Sequence, residues 1–155
     1  MKFDIVVVGG GHAGSEASHA ASTMGLKTCM FCMSFSHVGN MPCNPSIGGS
    51  AKGIVVKEID ALGGIMGKVA DQNALQYKML NLSKGPGVHA LRAQADKITY
   101  PKGILKALQE TPNLTLIEQE VVDIIVENGK IGGVLLKDGT KVECKAVILT
   151  TGTYM

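Results

Sequence analysis

The first apolar positions form a short run, Phe3 to Val8 (FDIVVV), the pattern of a strand buried on both faces of a parallel sheet. Gly9-Gly10-Gly11 stops it. His12 to Met24, rich in Ala and Ser with Glu16 in its first turns, predicts a helix with small residues on its packing face and Gly25 closing its end. Lys27 to Met33 (KTCMFCM) is a second apolar strand, so residues 3–33 make one βαβ unit. Periodicity then fails over residues 34–53, a glycine-rich loop with Pro42 and Pro45. A loop of this length is functional or disordered. Its Val38, Met41, Cys43 and Ile47 argue against disorder.

Residues 54–110 read as a helical region: Ile54 to Leu62, Asp71 to Leu82 and Ala93 to Glu110, with Ser83 to Val88 a glycine-proline loop. Pro101 either kinks the last helix or opens its regular part as a first-turn proline. Leu114 to Ile117 is a short strand. A three-stranded β-meander follows over 121–144, as Val121 to Glu127, Ile131 to Lys137 and Lys141 to Cys144. Its turns are Asn128-Gly129 and Asp138-Gly139, dipeptides that favour positive φ at both central positions. A separate closing strand, Ala146 to Leu149, ends at Thr150-Thr151-Gly152, so the closing segment covers 146–152.

Composition changes this picture in one respect. Gly accounts for 20 of 155 residues, above the usual share of about 7%, which points to tight turns and close backbone approaches. The length suffices for one domain with a core, and 45% hydrophobic with 18% charged residues is a globular balance. The net charge of +2 neither demands nor excludes nucleic acid. No apolar run has membrane length, and Lys2 with Phe3 to Val8 lacks the length and cleavage pattern of a signal peptide. The expected compartment is the cytoplasm, where Cys29, Cys32, Cys43 and Cys144 stay reduced.

Gly9, Gly11 and Gly14 form G-x-G-x-x-G after a strand and at the start of a helix. In a dinucleotide site the first glycine permits the turn, the second lets the backbone approach the pyrophosphate, and the third lets helix pack on strand. The phosphates then meet free N–H groups at the helix N-terminus. The acid expected at the end of the second strand, to hold a ribose hydroxyl, is missing; Met33-Ser34-Phe35-Ser36 stands there, with Ser34 or Ser36 for a weaker version of the contact. That weakens an ordinary NAD reading. The meander feeding a strand that ends in Thr-Gly resembles FAD-binding domains of the glutathione-reductase type. The expected fold class is therefore α/β, Rossmann-like, a parallel sheet with helices and a three-stranded β-meander. In that type the backbone near Val121 contacts the adenine, and Thr151-Gly152 returns towards the cofactor.

Cys43 lies between two prolines in a glycine-rich loop ahead of a helix, where helix N–H groups would lower its pKa; it also reads as a small buried hydrophobe. Cys29-x-x-Cys32 lies in a strand whose i and i+3 side chains point to opposite faces, so core packing is expected, as for Cys144, and no metal site. His12 reads as a spacer in the glycine turn and His19 as surface, while His37 and His89 lie in or beside loops and could face a ligand. Lys52, Lys57, Lys84 and Arg92 are scattered basic positions, read as solvated.

Several stretches together closely resemble the N-terminal part of the GidA family, also called MnmG. They are GGGHAG (Gly9 to Gly14), MPCNPSIGG around Cys43, KEIDALGG from Lys57, SKGP from Ser83, RAQAD from Arg92 and VILTTG from Val147. The resemblance implies an FAD enzyme that works with the GTPase MnmE. Together they add aminomethyl or carboxymethylaminomethyl groups to carbon 5 of wobble uridine in tRNA, with methylenetetrahydrofolate as one-carbon donor and NADH as reductant. Carried over residue by residue, Gly9, Gly10, Gly11, His12, Ala13, Gly14 and Val121 bind FAD, and Cys43 is a nucleophile for uridine carbon 6. The resemblance also implies a homodimer and members several times longer, so this chain is expected to be their N-terminal portion and to be inactive alone. His89 stands where the family usually has Arg, and Pro101 in a helix the family keeps free of proline. Two readings compete: a two-dinucleotide FAD/NAD(P)H oxidoreductase acting on a small substrate, and a non-catalytic binding module.

Overall fold

The computed structural model describes residues 1–42 and 44–152. The main sheet has strands β1 (Lys2–Val8), β2 (Thr28–Cys32), β6 (Leu114–Glu118), β7 (Val121–Glu127), β8 (Lys130–Leu136) and β9 (Lys141–Leu149), in the order β6-β2-β1-β9-β8-β7. The first four in that order run parallel, and β9, β8 and β7 are antiparallel neighbours. A second, antiparallel sheet has the order β3-β5-β4, with β3 (Ser46–Gly48), β4 (Ala74–Leu80) and β5 (Ala90–Ala95). Helices are α1 (His12–Thr23), α2 (Lys52–Ala61), α3 (Met66–Gln72) and α4 (Thr99–Gln109). Among the described residues no helix is long and apolar enough to cross a membrane.

Strand alternation splits the core in two. Val7, Met30 and Cys32 face the helical side, where Tyr100, Ile104 and Leu108 of α4 are buried against them. Val6, Cys29 and Phe31 face the other way and meet Val134, Leu136, Val142 and Cys144 of the meander. Cys29 and Cys32 thus sit in different cores, as a period of two requires. Burying each of the large side chains contributes about 2 kcal/mol. Burial also pushes the Cys29 thiol up to about 12 and the Cys32 thiol up to about 11, which leaves both inert.

Four expectations are corrected. The region 54–110 is not wholly helical. Asp71 to Leu82 is the end of α3 followed by strand β4, and the segment from Ala93 begins in strand β5. Helix α4 starts only at Thr99, where Asp96 Oδ1 accepts from the backbone N–H of Ile98 at 2.8 Å and Thr99 at 2.7 Å. Pro101 therefore falls in a first turn, where its missing N–H costs nothing. The meander and closing strand are not separate: 141–144 and 146–149 are one strand, β9, paired with β8 at its start and with β1 along the rest. Finally, Asn128 and Gly129 both take positive φ, but in the second turn only Gly139 does, because Asp138 Oδ1 accepts from Thr140 N–H at 2.9 Å instead.

Candidate functional site

The site is built on the turn between β1 and α1. Gly9 has φ +113 and donates its N–H to Phe31 O at 2.8 Å. A Cβ on Gly9 would strike Thr150 O, and one on Gly14 would strike Gly9 O and Thr150 Oγ1. Thr150 Oγ1 donates to Val8 O at 2.9 Å, so the end of β9 clamps the turn. Gly11 differs: a Cβ there would meet nothing within 4 Å. It is the N-cap of α1, extended, with no side-chain cap, so the first N–H groups of the helix stay free for an anion.

A cleft of about 370 Å³ opens at this turn. It brings Gly9, Gly10 and Gly11 together with Val121, Thr151 and Gly152. Ser34, His37, Gln119 and Glu120 complete its polar wall. Gly14 does not line this cleft; its part is packing. The acid missing after β2 has neighbours that local sequence could not reveal. Parallel pairing of β2 with β6 puts Glu118 beside Cys32, and Glu118 Oε1 accepts from Phe35 N–H at 3.2 Å. Glu120, two residues on, lines the cleft and pairs with Lys137 at 2.6 Å. Only their position just before Val121 marks them in the sequence.

A second chamber, about 770 Å³, lies on the other side of the turn. His12 and Ala13 line it, with Glu16, Lys52 and an apolar set including Met41, Ile47 and Val55. Glu16 also holds α3 in place, accepting from Ile65 N–H at 3.1 Å and Met66 N–H at 2.6 Å. Cys43 lies outside the described residues, but its neighbours Pro42 and Asn44 both line this chamber. His37 is exposed at the cleft. His89 is exposed too, at neither cavity, with Nε2 3.2 Å from Lys84 O. His19 is not a free surface residue, since Nδ1 lies 3.0 Å from Thr111 Oγ1. No metal-binding cluster exists among the described residues.

His12 is more than a spacer. Its ring stacks on buried Tyr100 with centroids 5.7 Å apart, and its Nε2 is buried without a partner among the described residues. Burial lowers its pKa below the ordinary 6.5, Glu16 opposes this, and Lys52 adds to the lowering. The imidazole is therefore neutral near pH 7. The unfolded chain holds that proton more tightly. The stabilising contribution is thus fully present above about pH 6.5 and is lost as the pH falls through the folded value. His12→Asn is expected to flatten this acid-side decline when Tm is followed from about pH 7 to about pH 5. An unchanged decline removes His12 as its source.

Comparison with known proteins places this geometry. Residues 4–155 match the family model of glucose inhibited division protein A. The tRNA uridine 5-carboxymethylaminomethyl modification enzyme MnmG of Acholeplasma laidlawii is 56% identical over the whole chain, which covers 25% of that relative. The enzyme of the same name from Caldicellulosiruptor saccharolyticus is 53% identical over 99% of the chain, again 25% of the relative. Aquifex aeolicus GidA, in its form I crystal, superposes with a TM-score of 0.97 at 53% identity, over 100% of this chain and 26% of that one. The chain thus spans about a quarter of the length of these relatives. It belongs to the glucose inhibited division protein A family.

Proposed function

We propose that this chain is the FAD-binding part of a flavoenzyme that modifies wobble uridine in tRNA. The observation that carries the reading is the cleft at the glycine turn, in a chain of this family whose relatives are named for tRNA uridine modification. The residues present fit a dinucleotide. Gly11 leaves open space where the pyrophosphate approaches, while Gly9 and Gly14 are held by contacts that a side chain would break. The free N–H groups of α1 take the phosphates, and the strand end at Val121 takes the adenine side. Thr151 and Gly152 close the cleft. Ser34 and Glu120 stand in for the ribose-binding acid. His12 and Ala13 lead the cofactor towards the second chamber.

FAD supplies two-electron redox chemistry when bound. The chain's own contribution to the uridine is Cys43. Its thiolate adds to carbon 6, the π electrons move to carbon 5, and that carbon becomes the nucleophile. Substitution there releases the carbon 5 proton, and breaking the sulfur–carbon bond restores the ring. The one-carbon unit comes from methylenetetrahydrofolate and reducing equivalents from NADH. The GTPase MnmE acts as partner to a homodimer of the full-length protein, in the cytoplasm. The experiment is an absorbance spectrum of the purified protein. Flavin bands are expected, at a stoichiometry near one per chain after incubation with FAD. A protein colourless after that incubation overturns the reading, and flavin reduced by NAD(P)H and reoxidised by a small substrate without tRNA favours the two-dinucleotide oxidoreductase.

A further inference from the structure

The small sheet carries a charge pattern that the flavin cleft does not use. Residues 74–95, from β4 to β5, contain Lys78, Lys84 and Arg92 and no Asp or Glu. The whole chain nets +2, so everything outside this hairpin is net negative by one. Strand register puts Lys78 directly opposite Arg92. Alternation places Gln76 and Gln94, themselves cross-strand partners, and Ser46 on the same face. The other partner of Arg92 is Gly48, which has no side chain to cover it. The opposite face turns inward where β3 meets β5: Ile47 pairs with Ala93, both are buried, and Ile47 and Ala95 belong to the helical-side core, while Tyr77, Met79 and Leu91 on that face stay exposed. The basic face itself looks outward: Gln76, Lys78 and Gln94 are exposed and Arg92 is half-buried.

Like charges directly opposite each other weaken a strand pair. Here nothing offsets the repulsion, because the ion pairs among the described residues all lie elsewhere. A repulsive pair flanked by neutral hydrogen-bonding side chains suits an external polyanion, whose phosphate oxygens accept from Lys, Arg and Gln alike. The sheet is also tied to the chemistry, since β3 continues directly from the Cys43 loop and Ser46 and Ile47 line the second chamber. We propose that this outer face of the β3-β5-β4 sheet binds the sugar-phosphate backbone of the RNA substrate. The proposal rests on the tRNA reading above. Phosphate contacts carry no sequence information, so the face positions the RNA and does not select it.

The test is tRNA binding by the purified protein over a series of salt concentrations, with and without Lys78→Gln/Arg92→Gln. The double variant is expected to bind about tenfold more weakly and to lose about 2 from the slope of log affinity against log salt. Its flavin content stays the same and its Tm is unchanged or higher, because a repulsive pair is gone. A control removing two meander cations, Lys130→Gln/Lys141→Gln, keeps the slope; an equal loss there means net charge alone is read and overturns the proposal. Unchanged affinity and slope in Lys78→Gln/Arg92→Gln also overturn it while leaving the tRNA reading intact. Failure of the unsubstituted protein to bind tRNA overturns both. If the double variant loses Tm, the charge-preserving Lys78→Arg/Arg92→Lys decides: a retained slope supports the face, and a lost slope overturns it.

Discussion

Gly14→Ala is expected to destroy the fold of the glycine turn, whereas Gly11→Ala is expected to fold normally and lose the flavin. The two differ by what a methyl group would meet. At Gly14 it would strike Gly9 O and Thr150 Oγ1. Neither is the far end of a flexible side chain: one is backbone, and the other is held by hydrogen bonds to Val8 O at 2.9 Å and Gly9 O at 3.2 Å. Relief requires moving α1 off β1, at the centre of the parallel sheet. Overpacking against backbone sits at the upper end of the usual range, about 3 kcal/mol, a large part of the stability of a domain this size. A fall in Tm of about 10 °C or more is the matching readout. At Gly11 the backbone is already in a conformation any residue adopts, φ −71 and ψ −176, and the methyl group meets nothing. It occupies the space left for the pyrophosphate. Thermal unfolding with flavin fluorescence separates the two effects. Gly14→Ala at the unsubstituted Tm, or Gly11→Ala with full flavin content, contradicts this account of the turn.

The elements legible in the sequence are those with local causes. The βαβ unit announces itself by an apolar run, a glycine turn and a small-residue helix within 31 residues, and Asn128-Gly129 fixes a turn by its own φ preference. The misread elements are those decided by distant partners. In residues 71–82, Leu75, Met79 and Leu82 repeat at helical spacing, while Leu75, Tyr77 and Met79 alternate at strand spacing. Periodicity alone does not choose between them. Pairing with β5 does, through Tyr77 with Ala93 and Met79 with Leu91. Likewise β9 reads as two strands because its first residues serve β8 and its later ones serve β1, which precedes it by over a hundred residues.

The candidate site divides in the same way. Gly9, Gly10 and Gly11 were legible because one short motif carries their geometry, and Val121, Thr151 and Gly152 because a fold type implies where strand ends converge. Glu120 was not, since the parallel pairing of β2 with β6 brings it into the cleft with Ser34 from 86 positions away in the chain. Lys78 carries no local signal for a related reason: at helical spacing it has no cross-strand partner, and only the hairpin sets it against Arg92.

Cys43→Ser in the full-length protein that carries this chain is expected to reduce tRNA uridine modification by at least about a thousandfold with FAD still bound. A thiol ionises near about 8.5 and gives a useful thiolate fraction at neutral pH, more so beside a helix N-terminus. A serine hydroxyl in the same place stays protonated and adds to carbon 6 only with a dedicated base. The other thiols do not substitute for it. Cys29 and Cys32 are buried in separate cores with pKa values pushed up to about 12 and about 11, and burial raises Cys144 too. Retention of FAD follows from the layout. The neighbours of Cys43 line the second chamber and not the cleft at Gly9 to Gly11, so the substitution leaves the phosphate-binding turn untouched. The measurement pairs nucleoside analysis of modified tRNA with the flavin spectrum of the same preparation. Undiminished modification removes Cys43 from the mechanism. Lost modification together with lost flavin shows instead that its loop supports the cofactor, and then the nucleophile must be sought elsewhere.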